Sequence, residues 1–111
     1  MPRTKNARST GNALLDRLTT TELDKLLADA QWVSFAAHEQ VYAAGRETAP
    51  VYFPISGVYS LVLPMTGGQP VEVAVVDSEG MLGIPVVLGL ETTPLRAVCR
   101  VAGQCARVAP D

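Results

Sequence analysis

The hydrophobic pattern of the chain changes at Gln31, and this change limits the possible folds more than any other feature. Upstream, leucines recur at helical spacing in "TTTELDKLLADA", where Thr19 and Glu22 stand three residues apart as a capping box. Downstream, short segments rich in Val and Tyr alternate with turn residues, which is typical of strands. These segments are WVSFA, QVYAAG, VYFPI, GVYSLVLPM, PVEVAVVD, LRAVCRV and QCARVAP. The pattern predicts a mainly β sandwich, jelly roll or barrel, with short helices packed at its N-terminal end.

Turn residues predict how some of these strands connect. In "VYFPISGVYSLVL" (51–63), Pro54 belongs at a strand end or edge because it cannot donate to a ladder, and Ser56-Gly57 turns the chain. Gly67-Gly68 predicts a tight hairpin, and Ala102-Gly103 predicts a second one. That second hairpin would pair Arg100 with Cys105, so the two cysteines would point to opposite faces and form no disulfide. A short amphipathic helix is expected in "NALLDRL".

Length and charge set the domain organisation and exclude several partners. The chain has 111 residues, of which 48% are hydrophobic and 18% charged, which suits one globular domain. We expect residues 1–11 to be a disordered tail and 12–111 to be the domain. With a net charge of −2 and scattered Lys and Arg, nothing indicates nucleic-acid binding by these residues. No apolar run is long enough to span a membrane and no signal peptide is visible, which favours the cytoplasm.

Few residues could carry enzymatic or metal chemistry. His38 is the single histidine, and Cys99 and Cys105 are the two cysteines. Zinc and iron–sulfur sites take about three or four such ligands, so we predict no metal site and no catalytic residues. His38 is expected in a turn or on the surface, and both cysteines are expected to be structural. Glu72 alternates with three valines and is expected to point outward from a half-buried strand.

One glycine-rich segment is the candidate small-ligand site. "DSEGMLGIPVVLGLETTP" (77–94) resists a strand assignment, and segments of this length between strands are often functional. Glycines with successive free N–H groups can form an anion-binding nest. Arg96 follows the segment and could contact a phosphate or carboxylate through two hydrogen bonds.

Taken together, "VYFPISGVYSLVL", "GGQPVEVAVVDSEGMLG" and "PLRAVCRVAG" resemble the effector domain of Crp/Fnr-type bacterial transcription regulators. The resemblance covers about residues 12–109. It implies a cyclic-nucleotide-binding-domain-like β-roll, a double-stranded β-helix or jelly roll. In that family a dimer helix and a C-terminal helix-turn-helix follow the roll, and residues 1–111 contain neither. The resemblance therefore implies a homodimer in full-length form, with DNA bound only through the C-terminal domain.

The family's phosphate-binding motif, Gly-Glu-Leu-Gly-Leu with a later Arg and small residue, implies the candidate effector-binding residues. Met81 stands at the position of the Glu that takes the ribose hydroxyl, and a thioether cannot replace that carboxylate. Along "RAVCRV", Arg96 shares its face with Val98 and Arg100, whereas the phosphate-binding Arg should project into the roll. The candidate residues are Gly80, Met81, Leu82, Gly83, Arg96 and Ala97.

The sequence thus predicts the sensor domain of a Crp/Fnr-like regulator with a diverged nucleotide site. Its effector would be a cyclic nucleotide bound in another way or another small anionic molecule, and the sequence does not identify it. A ligand-free β-roll serving as a dimerisation or interaction scaffold is the main alternative. A cupin-like enzyme is a third, although cupin metal sites usually need several histidines.

Overall fold

The computed structural model describes residues 10–45, 50–83 and 94–108, and these residues form a β-roll with short N-terminal helical elements. A 3-10 turn at Leu15–Arg17 precedes the helix α1 (Thr20–Leu27). The strands are β1 (Gln31–Phe35), β2 (Gln40–Tyr42), β3 (Val51–Pro54), β4 (Val58–Leu63), β5 (Val71–Val76), β6 (Arg96–Val101) and β7 (Gly103–Val108). Each overlaps one of the seven predicted segments, although β1 and β7 begin one residue before theirs, and the mainly β jelly-roll prediction is confirmed.

The N-terminal elements follow the sequence only in part. Thr19 caps α1: its hydroxyl accepts from the Glu22 N–H at 3.1 Å, and the Thr19 N–H donates to the Glu22 carboxylate at 3.0 Å. The predicted capping box is therefore present. The amphipathic helix expected in NALLDRL is only a 3-10 turn, in which Leu15 is buried and Leu14 is exposed. No helix in the described part of the chain is long and apolar enough to cross a membrane.

The strands form two antiparallel sheets. One sheet has the order β1-β7-β3 and the other the order β2-β6-β4-β5. The hairpin predicted around Gly67-Gly68 joins β4 to β5, with Leu63 paired to Val71, so the connection (64–70) is longer than a tight turn. Pro54 ends β3, an edge strand, where its missing N–H leaves no gap in a ladder.

The second predicted hairpin is wrong, because β6 and β7 belong to different sheets. Ala102-Gly103 carries the chain from one sheet to the other, and the corner at 55–57 does the same between β3 and β4. The two crossings touch: the Ile55 N–H donates to the Gln104 carbonyl at 2.8 Å, and the Gln104 N–H donates to the Ser56 hydroxyl at 3.0 Å. A Cβ on Gly103 would overlap the Ser56 carbonyl, so the backbones meet directly.

The core lies between the sheets. Phe35 contacts Tyr52 and Tyr59 edge-on, with ring centroids 6.1 and 6.2 Å apart. Cys99 from β6 and Cys105 from β7 both lie in this core, so the prediction that they face opposite ways is wrong. Both are buried free thiols. The buried core cluster comprises Phe35, Tyr52, Tyr59, Leu82, Ala97, Cys99 and Cys105.

β5 contains a bulge, and its valines are more exposed than expected, whereas Glu72 is exposed as predicted. Leu61 pairs with Ala74 and the next residue, Val62, pairs with Glu72, so Val73 is an extra residue on β5. Val71, Val73 and Val75 are 47%, 49% and 59% exposed, and Val76 packs against the core instead. The valines expected to be half-buried are therefore the exposed residues of this edge strand.

Candidate functional site

The candidate segment leaves β5 through a turn at residues 77–80 and then joins the edge of the three-stranded sheet. The Gly80 N–H donates to the Asp77 carbonyl at 3.1 Å and closes the turn. Leu82 and Tyr52 exchange two hydrogen bonds, 2.8 and 2.9 Å long, as an isolated antiparallel bridge. The structure thus brings Gly80–Gly83 against β3, with the Leu82 side chain fully buried in the core.

Gly83 occupies a place that suits only glycine. Its φ of +107° lies in the region that residues with a Cβ avoid, and a Cβ there would lie 3.2 Å from the Cα of Val51. The close approach holds the end of the bridge against the first residue of β3. Residues 84–93, which include Ile84 and Gly89 of the predicted segment, lie outside the described residues.

The amides of Gly80 and Leu82 donate to protein carbonyls, and this limits the proposed anion-binding nest. A nest needs successive N–H groups that point into free space. Here the Gly80 N–H meets Asp77 and the Leu82 N–H meets Tyr52. At these two positions the backbone is satisfied within the fold and offers no donor to a ligand.

Arg96 and Ala97 lie on opposite faces of β6. Ala97 is fully buried in the core and pairs with Leu61, which packs against the same cluster. Arg96 pairs with Val62 and, because side chains alternate along a strand, projects from the other face. Its Nε atom is buried and has no hydrogen-bond partner among the described residues. The Arg96 side chain therefore projects away from the roll interior, as the alternation of side chains along RAVCRV predicted.

Tyr42 is a residue beside the segment that the sequence reasoning missed. It lies on β2, pairs with Ala97, and its ring centroid is 6.3 Å from that of Tyr52. Burial raises the pKa of the Tyr42 hydroxyl and the neighbouring Tyr52 adds to this, while a hydrogen bond to the Gly83 backbone opposes it. A phenol thus lies against Gly83, although 41 residues of sequence separate the two.

A second polar group spans three strands on the outer face of the four-stranded sheet. The fully buried Ser60 hydroxyl donates to the Glu72 carboxylate at 2.5 Å and accepts from Arg100 Nε at 3.0 Å. The Arg100 and Glu72 side chains are 43% and 48% exposed, so their 3.8 Å ion pair adds little by itself. The buried serine links β6, β4 and β5 and keeps its hydroxyl satisfied. Sequence reasoning placed Glu72 on a solvated face and gave it no partner.

No protein-family model and no curated protein sequence matches the chain. Solved structures do. The sensor domain of the transcriptional regulator DNR from Pseudomonas aeruginosa superposes with a TM-score of 0.78 at 20% identity, covering 90% of this chain and 67% of that one. The Catabolite Activator Protein of Thermus thermophilus superposes with a TM-score of 0.74 at 19% identity, covering 88% and 46%. A guanosine-bound regulatory subunit of a cAMP-independent protein kinase A from Trypanosoma cruzi superposes with a TM-score of 0.77 at 18% identity. The match covers 90% of this chain and 36% of that one.

The chain has the fold of a cyclic-nucleotide-binding-like β-roll. The predicted resemblance to the sensor domains of Crp/Fnr-type regulators is thus confirmed in the fold. The chain spans about two-thirds of the sensor domain's length and less than half of the length of the other two chains. These neighbours are described as regulatory proteins. At sequence identities this low, the similarity shows a shared fold and nothing more.

Within the β-roll, the structure brings together only some of the predicted site residues. Gly80, Met81, Leu82 and Gly83 are contiguous beside Tyr52, whereas Arg96 projects from the opposite face of its sheet. That these residues bind an effector stays a prediction. No group of three or more His, Cys, Asp or Glu side chains that could hold a metal ion occurs among the described residues.

Proposed function

We propose that the chain is the effector-sensing regulatory domain of a Crp/Fnr-like transcription regulator whose β-roll does not bind cyclic AMP in the usual way. In this proposal the domain acts in the cytoplasm, where its two buried thiols stay reduced. It works as a homodimer with a DNA-binding domain that residues 1–111 do not contain. Its role is regulatory rather than enzymatic.

The facing of Arg96 is the observation that carries this proposal. A cyclic phosphate bears a negative charge, and a buried charge without a partner is strongly disfavoured. The described core around Ala97 consists of aromatic, aliphatic and cysteine side chains. With Arg96 on the other face of β6, the described residues of this interior offer a cyclic phosphate no cationic partner.

The ribose side of the motif supports the same proposal. Met81 stands where cyclic-nucleotide-binding relatives carry a carboxylate, and a thioether accepts hydrogen bonds only weakly. The Leu82 N–H already donates to Tyr52. An effector without a phosphate would avoid the missing cationic partner, and the kinase regulatory subunit that contains this fold is described as bound to guanosine, an uncharged nucleoside.

Isothermal titration with cyclic AMP, cyclic GMP and guanosine tests the proposal. We expect neither cyclic nucleotide to bind with a micromolar Kd. Saturable micromolar binding of either one would contradict the proposal. The matched variants Arg96→Ala and Arg100→Ala, on the same strand and the same face, would then show which arginine meets the phosphate.

A ligand-free scaffold is the second candidate, and the surface of β5 favours it. Val71, Val73 and Val75 expose roughly half of their surface on an edge strand, where apolar side chains invite pairing or docking. If the roll is a scaffold, replacing Val73 and Val75 with lysine would weaken self-association in sedimentation velocity while leaving the far-UV CD spectrum unchanged. A wild-type chain that stays monomeric across the accessible concentration range would argue against self-association.

A further inference from the structure

The N-terminal segment before α1 holds the turn at residues 77–80, which leads into Gly80–Gly83. Asn12 is fully buried although it is polar, and its side chain is the centre of the contact. The amide nitrogen donates to the Pro54 carbonyl at 2.7 Å and to the Gly80 carbonyl at 2.9 Å. One side chain thus joins the N-terminal segment, the end of β3 and the start of Gly80–Gly83.

The other half of the Asn12 amide orders its own segment. Its Oδ1 accepts from the N–H groups of Leu14 and Leu15 at 2.9 and 3.1 Å, which begins the 3-10 turn. Both donors and the acceptor of the amide are therefore used. Such a fully satisfied buried group fixes one geometry, because any displacement would leave several buried polar atoms unpaired.

Neighbouring contacts add to this attachment. The Ala13 N–H donates to the Ser78 carbonyl at 2.8 Å, within the same turn that Asn12 holds through Gly80. Gly11 has a φ of +97°, and a Cβ there would lie 2.6 Å from Ile55 Cγ2. The segment therefore lies directly on the β3–β4 corner and on the 77–80 turn at once.

We propose that residues 10–15 form a clamp on residues 77–83, held mainly by the Asn12 side chain, so that release of the clamp and movement of residues 77–83 are coupled. Opening the clamp would unpair the Pro54 and Gly80 carbonyls and free the turn that positions the Leu82–Tyr52 bridge. The coupling acts in both directions, because a ligand that shifts Gly80 must also shift Asn12. The clamp goes beyond the proposed function, since these contacts exist whatever the roll binds.

Residue-resolved amide hydrogen exchange tests the clamp without any effector, so the result does not depend on the proposed function. The Gly80 and Leu82 amides report the clamped segment, and the Cys99 amide, bonded to the Glu39 carbonyl at 2.8 Å, reports the roll at a distance. In Asn12→Ala we expect exchange at Gly80 and Leu82 to accelerate about tenfold more than at Cys99. Asn12→Asp, which keeps the acceptor and loses both donors, should have the same effect.

Thr19→Ala is the matched control. It removes a capping side chain from the same N-terminal region but touches neither Gly80 nor Ser78. We expect it to change the three reporter amides by similar factors. If exchange at all three amides accelerates equally in the Asn12 variants, or does not accelerate at any of them, the clamp proposal is wrong.

The wild-type protein provides a second measurement that stands even if an Asn12 variant fails to fold. In exchange followed at increasing urea concentrations, the Ala13 and Gly80 amides should open together as one unit, before Cys99 does. If Ala13 opens at a urea concentration where Gly80 stays fully protected, the two segments are not coupled and the proposal fails.

Discussion

Individual side chains in the roll interior favour their uncharged forms. Burial is the main cause that raises the pKa of both cysteine thiols, and for Cys105 it does so to about 11 from an ordinary value of 9.0. Tyr59 shares this environment, and its pKa is also raised, first by burial and then by Cys105. A buried thiol with a raised pKa carries little thiolate, so these cysteines are poor nucleophiles at neutral pH.

These shifts predict a loss of stability at alkaline pH. Because the folded pKa of Cys105 lies above the unfolded one, its contribution is complete below pH 9.0 and is lost as pH rises toward about 11. We expect the Tm of the reduced protein, measured by CD, to fall across this range. Cys105→Ala should flatten the fall without abolishing it, because Tyr59 and Cys99 remain. A Tm that is constant up to pH 11 would contradict the prediction.

His38 is the only non-glycine residue with positive φ among the described residues, at +75°. It is exposed, and its N–H donates to the Cys99 carbonyl at 2.7 Å, so the turn needs its backbone shape rather than its ring. We expect His38→Gly to change the free energy of unfolding by less than about 1 kcal/mol. His38→Val, whose branched Cβ avoids this region, should cost about 1–2 kcal/mol. Urea denaturation measures both, and equal stability of the two variants would contradict the strain argument.

At the scale of elements, the strands could be predicted from local pattern, but their partners could not. Short segments rich in Val and Tyr alternate with turn residues after Gln31, so the positions of all seven strands were identifiable. Ala102-Gly103 looks like a hairpin turn in sequence, yet its glycine serves the backbone contact with Ser56 in a crossing between sheets. A bulge such as that at Val73 leaves no mark in the sequence and reverses the facing of the residues before it.

The candidate site shows the same division. The face of β6 on which Arg96 lies could be predicted from the alternation of side chains within that one strand. This worked because β6 pairs with β4 without irregularity from Tyr59 to Val62. Tyr42 and Asn12 could not be found in this way, because their partners Gly83 and Gly80 are 41 and 68 residues away. Contacts of that range depend on the pairing of the sheets, which no local pattern encodes.

The two crossings between sheets predict a large effect of adding one methyl group. In Gly103→Ala the new Cβ would overlap the Ser56 carbonyl, and backbone cannot rotate away as a side chain can. We expect a loss of at least about 2 kcal/mol in the free energy of unfolding. Gly68→Ala is the control: its Cβ would meet only Met65, at 3.9 Å, and should change stability by less than about 0.5 kcal/mol. Similar losses in both variants would show that the crossings are not tightly packed.

At the scale of the whole molecule, the two sheets depend on each other. Going along the chain, β1, β3 and β7 form one sheet, while β2, β4, β5 and β6 form the other. Neither sheet is therefore built from one continuous stretch of sequence. The chain must pass through strands of one sheet before the other sheet is complete. The shared core with Cys99 from one sheet and Cys105 from the other adds to this dependence.

This arrangement predicts unfolding in a single transition. Trp32 on β1 reports the three-stranded sheet through its near-UV CD band, and far-UV CD reports all strands. Val62 is 2% exposed on β4 of the other sheet, and Val62→Ala should cost about 2 kcal/mol. We expect the variant to lower the urea midpoint seen by Trp32 as much as the midpoint seen by far-UV CD, because the sheets unfold together. A midpoint for Trp32 that stays at its wild-type value would show that the three-stranded sheet is stable on its own.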